Sequence, residues 1–223
     1  MSDLESSTHN VTEINYSFIL PSRGRPQLLQ RSLRSIYENA HYPDKAEALV
    51  RIDEDDQLSL DFVKTNSIFY DYNIRVFVGP RLGYSYLWVI HKNLYTLTKG
   101  AFIIPYGDDC SMRWPNWDDG WLPYKDSIAV LGQKYIHGFT RKAYEKYSFL
   151  RECGEDPRSV AIDADLYAIA CREGIFICEK NFWRIQSQHL NDQTEKEGAG
   201  GGWRLNDLSL LQVPDKELIF GSK

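Results

Sequence analysis

The sequence predicts an α/β protein built on one mainly parallel sheet, and three observations predict it. Short apolar runs alternate with stretches whose apolar residues recur at helical spacing. Three of those runs stop abruptly at polar loops, namely Ser22 to Arg25, Asp53 to Asp56, and Asp108 with Asp109. At 223 residues the chain exceeds the modal domain size yet fits a single α/β domain with an ample core.

The elements follow in order. Tyr16 to Leu20 is a short apolar strand stopped by Pro21-Ser22-Arg23-Gly24-Arg25-Pro26, after which Leu28, Leu29, Leu33, Ile36 and Tyr37 mark an amphipathic helix. Ala48 to Ile52 is a second buried strand, followed by a helix through Leu60 to Phe69. Ile74 to Val78 is a third strand, Tyr84 to Leu97 a helix, and Ala101 to Pro105 a fourth strand that runs into Tyr106-Gly107-Asp108-Asp109. Beyond it, a strand is expected near Ile128 to Leu131, helices over His137 to Lys146 and Asp163 to Glu173, and short strands at Ile175 to Cys178 and Phe182 to Ile185. Trp117 and Trp121 lie near Pro115 and Pro123 with Trp114 and read as core anchors, with sugar stacking as the alternative. The run Gly198 to Gly202 fits neither helix nor strand, which leaves a lid over the site or a plain flexible connection. The expected organisation is a polar extension over residues 1–15, one domain over 16–197, and a glycine-rich loop with a C-terminal tail over 198–223.

Composition narrows the function classes. With 43% hydrophobic and 26% charged residues, the chain reads as soluble and globular rather than disordered. It has no apolar run long enough to span a bilayer, and Met1 to Thr12 lacks a hydrophobic signal core, so no membrane partner is expected and the expected compartment is the cytoplasm. A net charge of −5 counts against a dedicated nucleic-acid binder, while Arg23, Arg25, Arg31 and Arg34 form either a solvated helix face or a local basic groove. Cys110, Cys153, Cys171 and Cys178 show neither metal-ligand spacing nor a disulfide framework and read as buried free thiols.

In a parallel sheet, ligands bind outside the carboxyl ends of the strands, so the three polar loops should converge on one rim. Adjacent acids at a strand end are either a solvated turn or a hard-oxygen site for Mg²⁺ or Mn²⁺, cations that share their shell with substrate phosphates.

At this point the residues carry a resemblance. Phe18 to Pro26 resembles the opening nucleotide-binding segment of GT-A fold, nucleotide-sugar-dependent glycosyltransferases, nearest to the family 2 type and its short phage-encoded members. Gly107-Asp108-Asp109 followed by Trp114-Pro115-Asn116-Trp117-Asp118 resembles the Asp-x-Asp region and the Pro-Gly-Trp-Asp segment that trails it, with Asn116 in place of the glycine. Ile162-Asp163-Ala164-Asp165-Leu166 resembles the Glu-Asp-x-Asp-Leu signature, with Ile162 in place of the glutamate, and Gln188-His189 sits where several such enzymes place a metal-binding histidine.

The resemblance implies transfer of a sugar from a nucleotide-sugar donor, a UDP-sugar first, to an acceptor hydroxyl, with Mn²⁺ or Mg²⁺ as cofactor and an inverting outcome. It implies Asp163 as general base with Asp165 in reserve. Asp109 and His189 would be metal ligands, and Pro21, Ser22, Arg23, Arg25, Asp53 and Asp108 would contact the nucleotide-sugar. Hydroxymethylated pyrimidines in DNA are one acceptor class that some phage members use. Two alternatives stay open. A sugar-1-phosphate nucleotidyltransferase normally begins with a glycine-rich, lysine-containing loop, whereas this chain has only Gly24 and no lysine between Ser17 and Asp44. A non-catalytic nucleotide- or carbohydrate-binding module would fit the Ile162 departure and the aromatic content.

Overall fold

The four strands expected in the first half are all present in the computed structural model, which describes residues 13–83, 86–113, 115–133, 136–147, 168–177, 185–186 and 207–219. Strands β1 (Tyr16–Ser22), β2 (Ala46–Asp53), β3 (Ile74–Gly79) and β4 (Phe102–Pro105) run parallel in the order β3-β2-β1-β4. Every residue of β2 is buried, as befits an inner strand covered on both faces.

Alternation along β1 divides the core. Tyr16, Phe18 and Leu20 face helix α1 (Pro26–Glu38), packing with Leu29, Leu33 and Ile36. Ile19 belongs to the opposite face, with Leu49, Phe77, and Val89, Ile90 and Leu94 of a later helix, Leu87–Tyr95. Helix α1 starts on Pro26, whose fixed φ and missing N–H suit a first helical position. The expected helix over Leu60 to Phe69 is two helices, α2 (Gln57–Thr65) and α3 (Ile68–Asp71). Asn66 divides them: its backbone is extended, and its side chain accepts from the Ile68 N–H at 3.2 Å, a local bond that competes with the helix. Asp56 caps α2 by accepting from Ser59 N–H, so one acid of the Asp53 to Asp56 run is structural. Leu87–Tyr95 is α4, within the expected range.

The second half departs more. After the two-residue β5 (Ser111–Met112) come β6 (Val130–Gln133) and β7 (Ile136–Thr140), then α5 (Arg141–Tyr147). The expected helix over His137 to Lys146 is therefore corrected: its first four residues are a strand antiparallel to β4 and β6. Two features explain the switch. A Cβ at Gly138 would overlap the ring of Trp121, so that strand position demands glycine, and Thr140 Oγ1 accepts from Ala143 N–H and so begins the helix later. β8 (Phe176–Ile177) lies beside β6, and β9 (Ile185–Gln186) pairs with β5. Residues 168–172 are helical, within the expected Asp163 to Glu173 helix. No strand was expected after the glycine run, yet β10 (Lys216–Leu218) adds antiparallel to β3, giving the order β10-β3-β2-β1-β4-β7-β6-β8.

Trp117 and Trp121 are core anchors, as expected. Both are fully buried, edge-on to Tyr16 at 5.0 and 5.9 Å, and Trp117 donates from its indole N–H to the Ile36 carbonyl at 2.7 Å. Asn116, which stands in for the expected glycine, has φ of 58° and is the one non-glycine residue with positive φ among the described residues. Asparagine tolerates that left-handed conformation better than other side chains, so the turn survives the replacement. No helix among the described residues is long and apolar enough to cross a membrane.

Candidate functional site at the carboxyl rim

The parallel strands β1, β2 and β4 end on one rim, and the three polar loops meet there as the topology requires. β1 carries Pro21, which lies beside Arg51 of β2, and ends at Ser22. Gly24, with φ of 67°, turns the chain from Ser22 into α1, and its N–H is held by Asp56 at 2.7 Å. This turn aims Arg23 and Arg25 in different directions. Arg23 bonds Asp53 at 3.0 Å and makes a two-pronged contact with Asp55, while Arg25 bonds Asp108 at 2.6 Å and approaches Asp109 to 3.9 Å.

Asp108 is the buried member of the acid pair. Its side chain is 1% exposed; one oxygen takes Arg25, and the other accepts from Ser22 Oγ at 2.8 Å. Burial pushes its carboxyl up to about 6, against the pull of Arg25 and Ser22. Asp109, 21% exposed, is the more accessible member of the pair. The preceding turn is fixed by Ser32 Oγ, which donates to the Gly107 carbonyl at 3.0 Å, and α1 fixes the following strand through Ser35 Oγ, which accepts from Met112 N–H at 2.9 Å.

The donor chemistry fits a hard cation only in part. Asp109 offers carboxylate oxygen at the rim, whereas Asp108 has both oxygens engaged, and no group of three or more potential metal-ligating side chains occurs among the described residues. One carboxylate suits Mg²⁺ or Mn²⁺ where substrate phosphates and water fill most of the shell. Asp163, Asp165 and His189, the sequence-derived base candidates and second metal ligand, lie outside the described residues. So do Trp114, the Gly198 to Gly202 run, Cys153 and Cys178.

The arginine cluster divides. Arg34 sits on the solvent face of α1 in an exposed pair with Glu38, whereas Arg23 and Arg25 reach the rim acids. The expectation of buried thiols is met only in part by Cys110, which is half-buried and whose thiol is pushed up to about 12 by desolvation, and is corrected for Cys171, which is exposed.

Three further residues, Arg51, Arg81 and Asp215, join the rim with little signal in the sequence. Arg81, just past β3, lies 3.9 Å from Asp55. Arg51, two residues before Asp53 and so on the same face of β2, reaches Asp53, the Pro80 carbonyl, and Asp215 from a position 164 residues away. The Arg51-x-Asp53 spacing was the one cue available for these three.

With this geometry in hand, comparisons with solved structures bear on the fold. The chain is similar to the mannosyltransferase PcManGT from Pyrobaculum calidifontis in complex with GDP-Man and Mn²⁺, with a TM-score of 0.61 and 13% identity over 80% of this chain and 59% of that one. The fold is GT-A-like. It is also similar to S. aureus TarS 1-349 in complex with UDP, with a TM-score of 0.55 and 12% identity over 74% of this chain and 58% of that one. A third similar structure is 4-diphosphocytidyl-2C-methyl-D-erythritol synthase from Anaerococcus prevotii, with a TM-score of 0.51 and 13% identity over 80% of this chain and 93% of that one. The chain thus spans about three fifths of the two glycosyltransferase chains. No family model and no curated protein matches the sequence.

Proposed function

We propose that this protein is a metal-dependent glycosyltransferase that moves a sugar from a nucleotide-sugar donor, a UDP-sugar in the first instance, to an acceptor hydroxyl. The observation that carries the reading is the locked rim. Ser22 and Arg25 engage both oxygens of Asp108, and Asp109, the more accessible acid, lies just past the end of β4, where an open α/β sheet binds its ligands. Two of the similar structures hold GDP-Man with Mn²⁺ and UDP, which supports a nucleotide-sugar as donor class.

In this reading Asp109 and His189 hold Mn²⁺ or Mg²⁺. When bound, the cation offsets the negative charge that grows on the β-phosphate oxygen as the glycosidic bond breaks, an electrostatic effect worth several kcal/mol. Arg23 and Arg25 meet the nucleotide and its phosphates with planar guanidinium groups, and Asp53 and Asp108 hold those arginines in orientation. The acceptor oxygen bonds to the anomeric carbon as the nucleoside diphosphate leaves with the bonding pair, and Asp163, or Asp165 in its place, takes the acceptor proton.

A second reading, nucleotidyl transfer, is favoured by the synthase likeness and disfavoured by the lysine-free β1 loop. Mass-spectrometric assay with UDP- and GDP-sugars plus Mn²⁺ separates the readings. Release of nucleoside diphosphate, with sugar moved to water or an added acceptor, supports glycosyl transfer. Pyrophosphate release from a nucleoside triphosphate and a sugar-1-phosphate supports the second reading, and binding with no turnover supports a binding module. Hydroxymethylated-pyrimidine DNA belongs in the acceptor panel, where failure of modified duplex to bind at any salt concentration removes it.

A further inference from the structure

The end of β2 holds a charged relay that reaches from the C-terminal segment to the rim. Arg51 is a fully buried cation on an inner strand, its side chain 1% exposed. Its guanidinium is divided among three acceptors: Asp53 Oδ1, the Pro80 carbonyl, and Asp215 Oδ1 at 3.4 Å. Asp53 spends its other oxygen on Arg23 at 3.0 Å. Contacts thus run from Asp215 to Arg51, to Asp53 and to Arg23.

Asp215 is costly where it sits. Its side chain is 7% exposed, and Oδ2 is buried with no hydrogen-bond partner. A buried carboxylate oxygen with no hydrogen-bond partner is destabilising, and among the described residues only the contact of the other oxygen with Arg51 offsets the cost. Its placement is also enforced, because Gly79 at the end of β3 leaves the space that Asp215 fills: a Cβ there would overlap the carboxylate. Next to it, β10 anchors the segment by pairing Lys216 with Val78. Burial alone lowers the proton affinity of the Arg51 guanidinium, and Asp215 is the strongest influence opposing that effect.

We propose that Asp215 is a positioning residue of the nucleotide site, holding Arg51 so that Asp53 fixes Arg23 toward the base and ribose of a nucleoside diphosphate. This rests on the glycosyltransferase reading for the ligand, but the relay itself exists without one. Asp215→Asn keeps the shape and removes the charge. Arg51→Met with Asp215→Leu removes that pair together and leaves Asp53 to Arg23 alone, a gentler change than deleting one partner of the pair by itself.

The test has two readouts on the full chain. In the unliganded protein, NMR of arginine Nε–H groups, with Arg23 assigned through Arg23→Lys, should show the Arg23 signal displaced in both variants and unmoved in Glu38→Gln. In binding measurements with Mn²⁺, both variants should weaken UDP or GDP by about tenfold or more, the scale typical when a residue supporting a contact group is lost. Binding of inorganic pyrophosphate with Mn²⁺ should stay within twofold of wild type. A merely structural role would weaken both ligands together. An unmoved Arg23 signal, or equal losses for nucleotide and pyrophosphate, overturns the proposal. A displaced Arg23 signal in a protein that binds no nucleotide upholds the relay and overturns the donor reading instead.

Discussion

Asp108 and Asp109 are neighbours in sequence with opposite environments, and that difference organises the rim. Asp108 is desolvated and held by a charge-assisted bond to Arg25, so its partner cannot be removed cheaply. Arg25→Met should lower stability by about 3 kcal/mol in urea denaturation at neutral pH, and Arg25→Lys should recover only part of it, because a point charge does not replace a planar fork. Asp109 is the more exposed of the two and lies 3.9 Å from Arg25, so Asp109→Ala should cost less stability in urea than Arg25→Met while abolishing any metal-dependent ligand response. The two acids were legible in the sequence as a pair. Their division of labour was not, because it depends on Ser22 at the end of β1 and Arg25 in the turn before α1, both more than eighty residues earlier.

At the scale of elements, strands β1 to β4 and helix α1 were readable because their apolar patterns are long and both faces of the sheet are covered. The misread element is β7. Its short run of Ile136, His137, Gly138, Phe139 and Thr140 has no strict alternation, and its pairing with β4 and β6 comes from tertiary contacts. Gly138→Ala should therefore cost about 1–3 kcal/mol, since the added methyl meets the buried Trp121 ring, and a cooperative loss of near-ultraviolet tryptophan dichroism at lower temperature would report it. Asn116 supplies the complementary test. Asn116→Gly should be tolerated at its φ of 58°, whereas Asn116→Val should cost about 1–2 kcal/mol by thermal denaturation. β10 left no readable signal, being three residues long with two of them exposed, yet it closes one edge of the sheet and carries Asp215 to the rim.

Over the whole molecule, pH acts through a half-buried histidine that packing partly shields from water. Desolvation pushes the imidazole of His91, on α4, down to about 4 from its ordinary 6.5. The folded state therefore binds fewer protons there than the unfolded chain. The associated stability is fully present above about pH 6.5 and is lost as pH falls toward 4. Urea midpoints at pH 7.5, 6 and 5 should decline, and His91→Gln should flatten the decline; an unchanged slope would remove His91 from the account.

In the proposed function, the rim of this GT-A-like sheet binds a nucleotide through a metal at Asp109. Thermal denaturation of the wild-type chain and Asp109→Ala, titrated with UDP, GDP, CDP and UDP-sugars with and without Mn²⁺, tests it most directly. A ligand specific to the native state adds about 2.7 kcal/mol of stability at a hundredfold excess over Kd. The account predicts a manganese-dependent rise in Tm with one nucleotide that disappears in Asp109→Ala. No rise with any nucleotide, or a rise that persists in the variant, would contradict it.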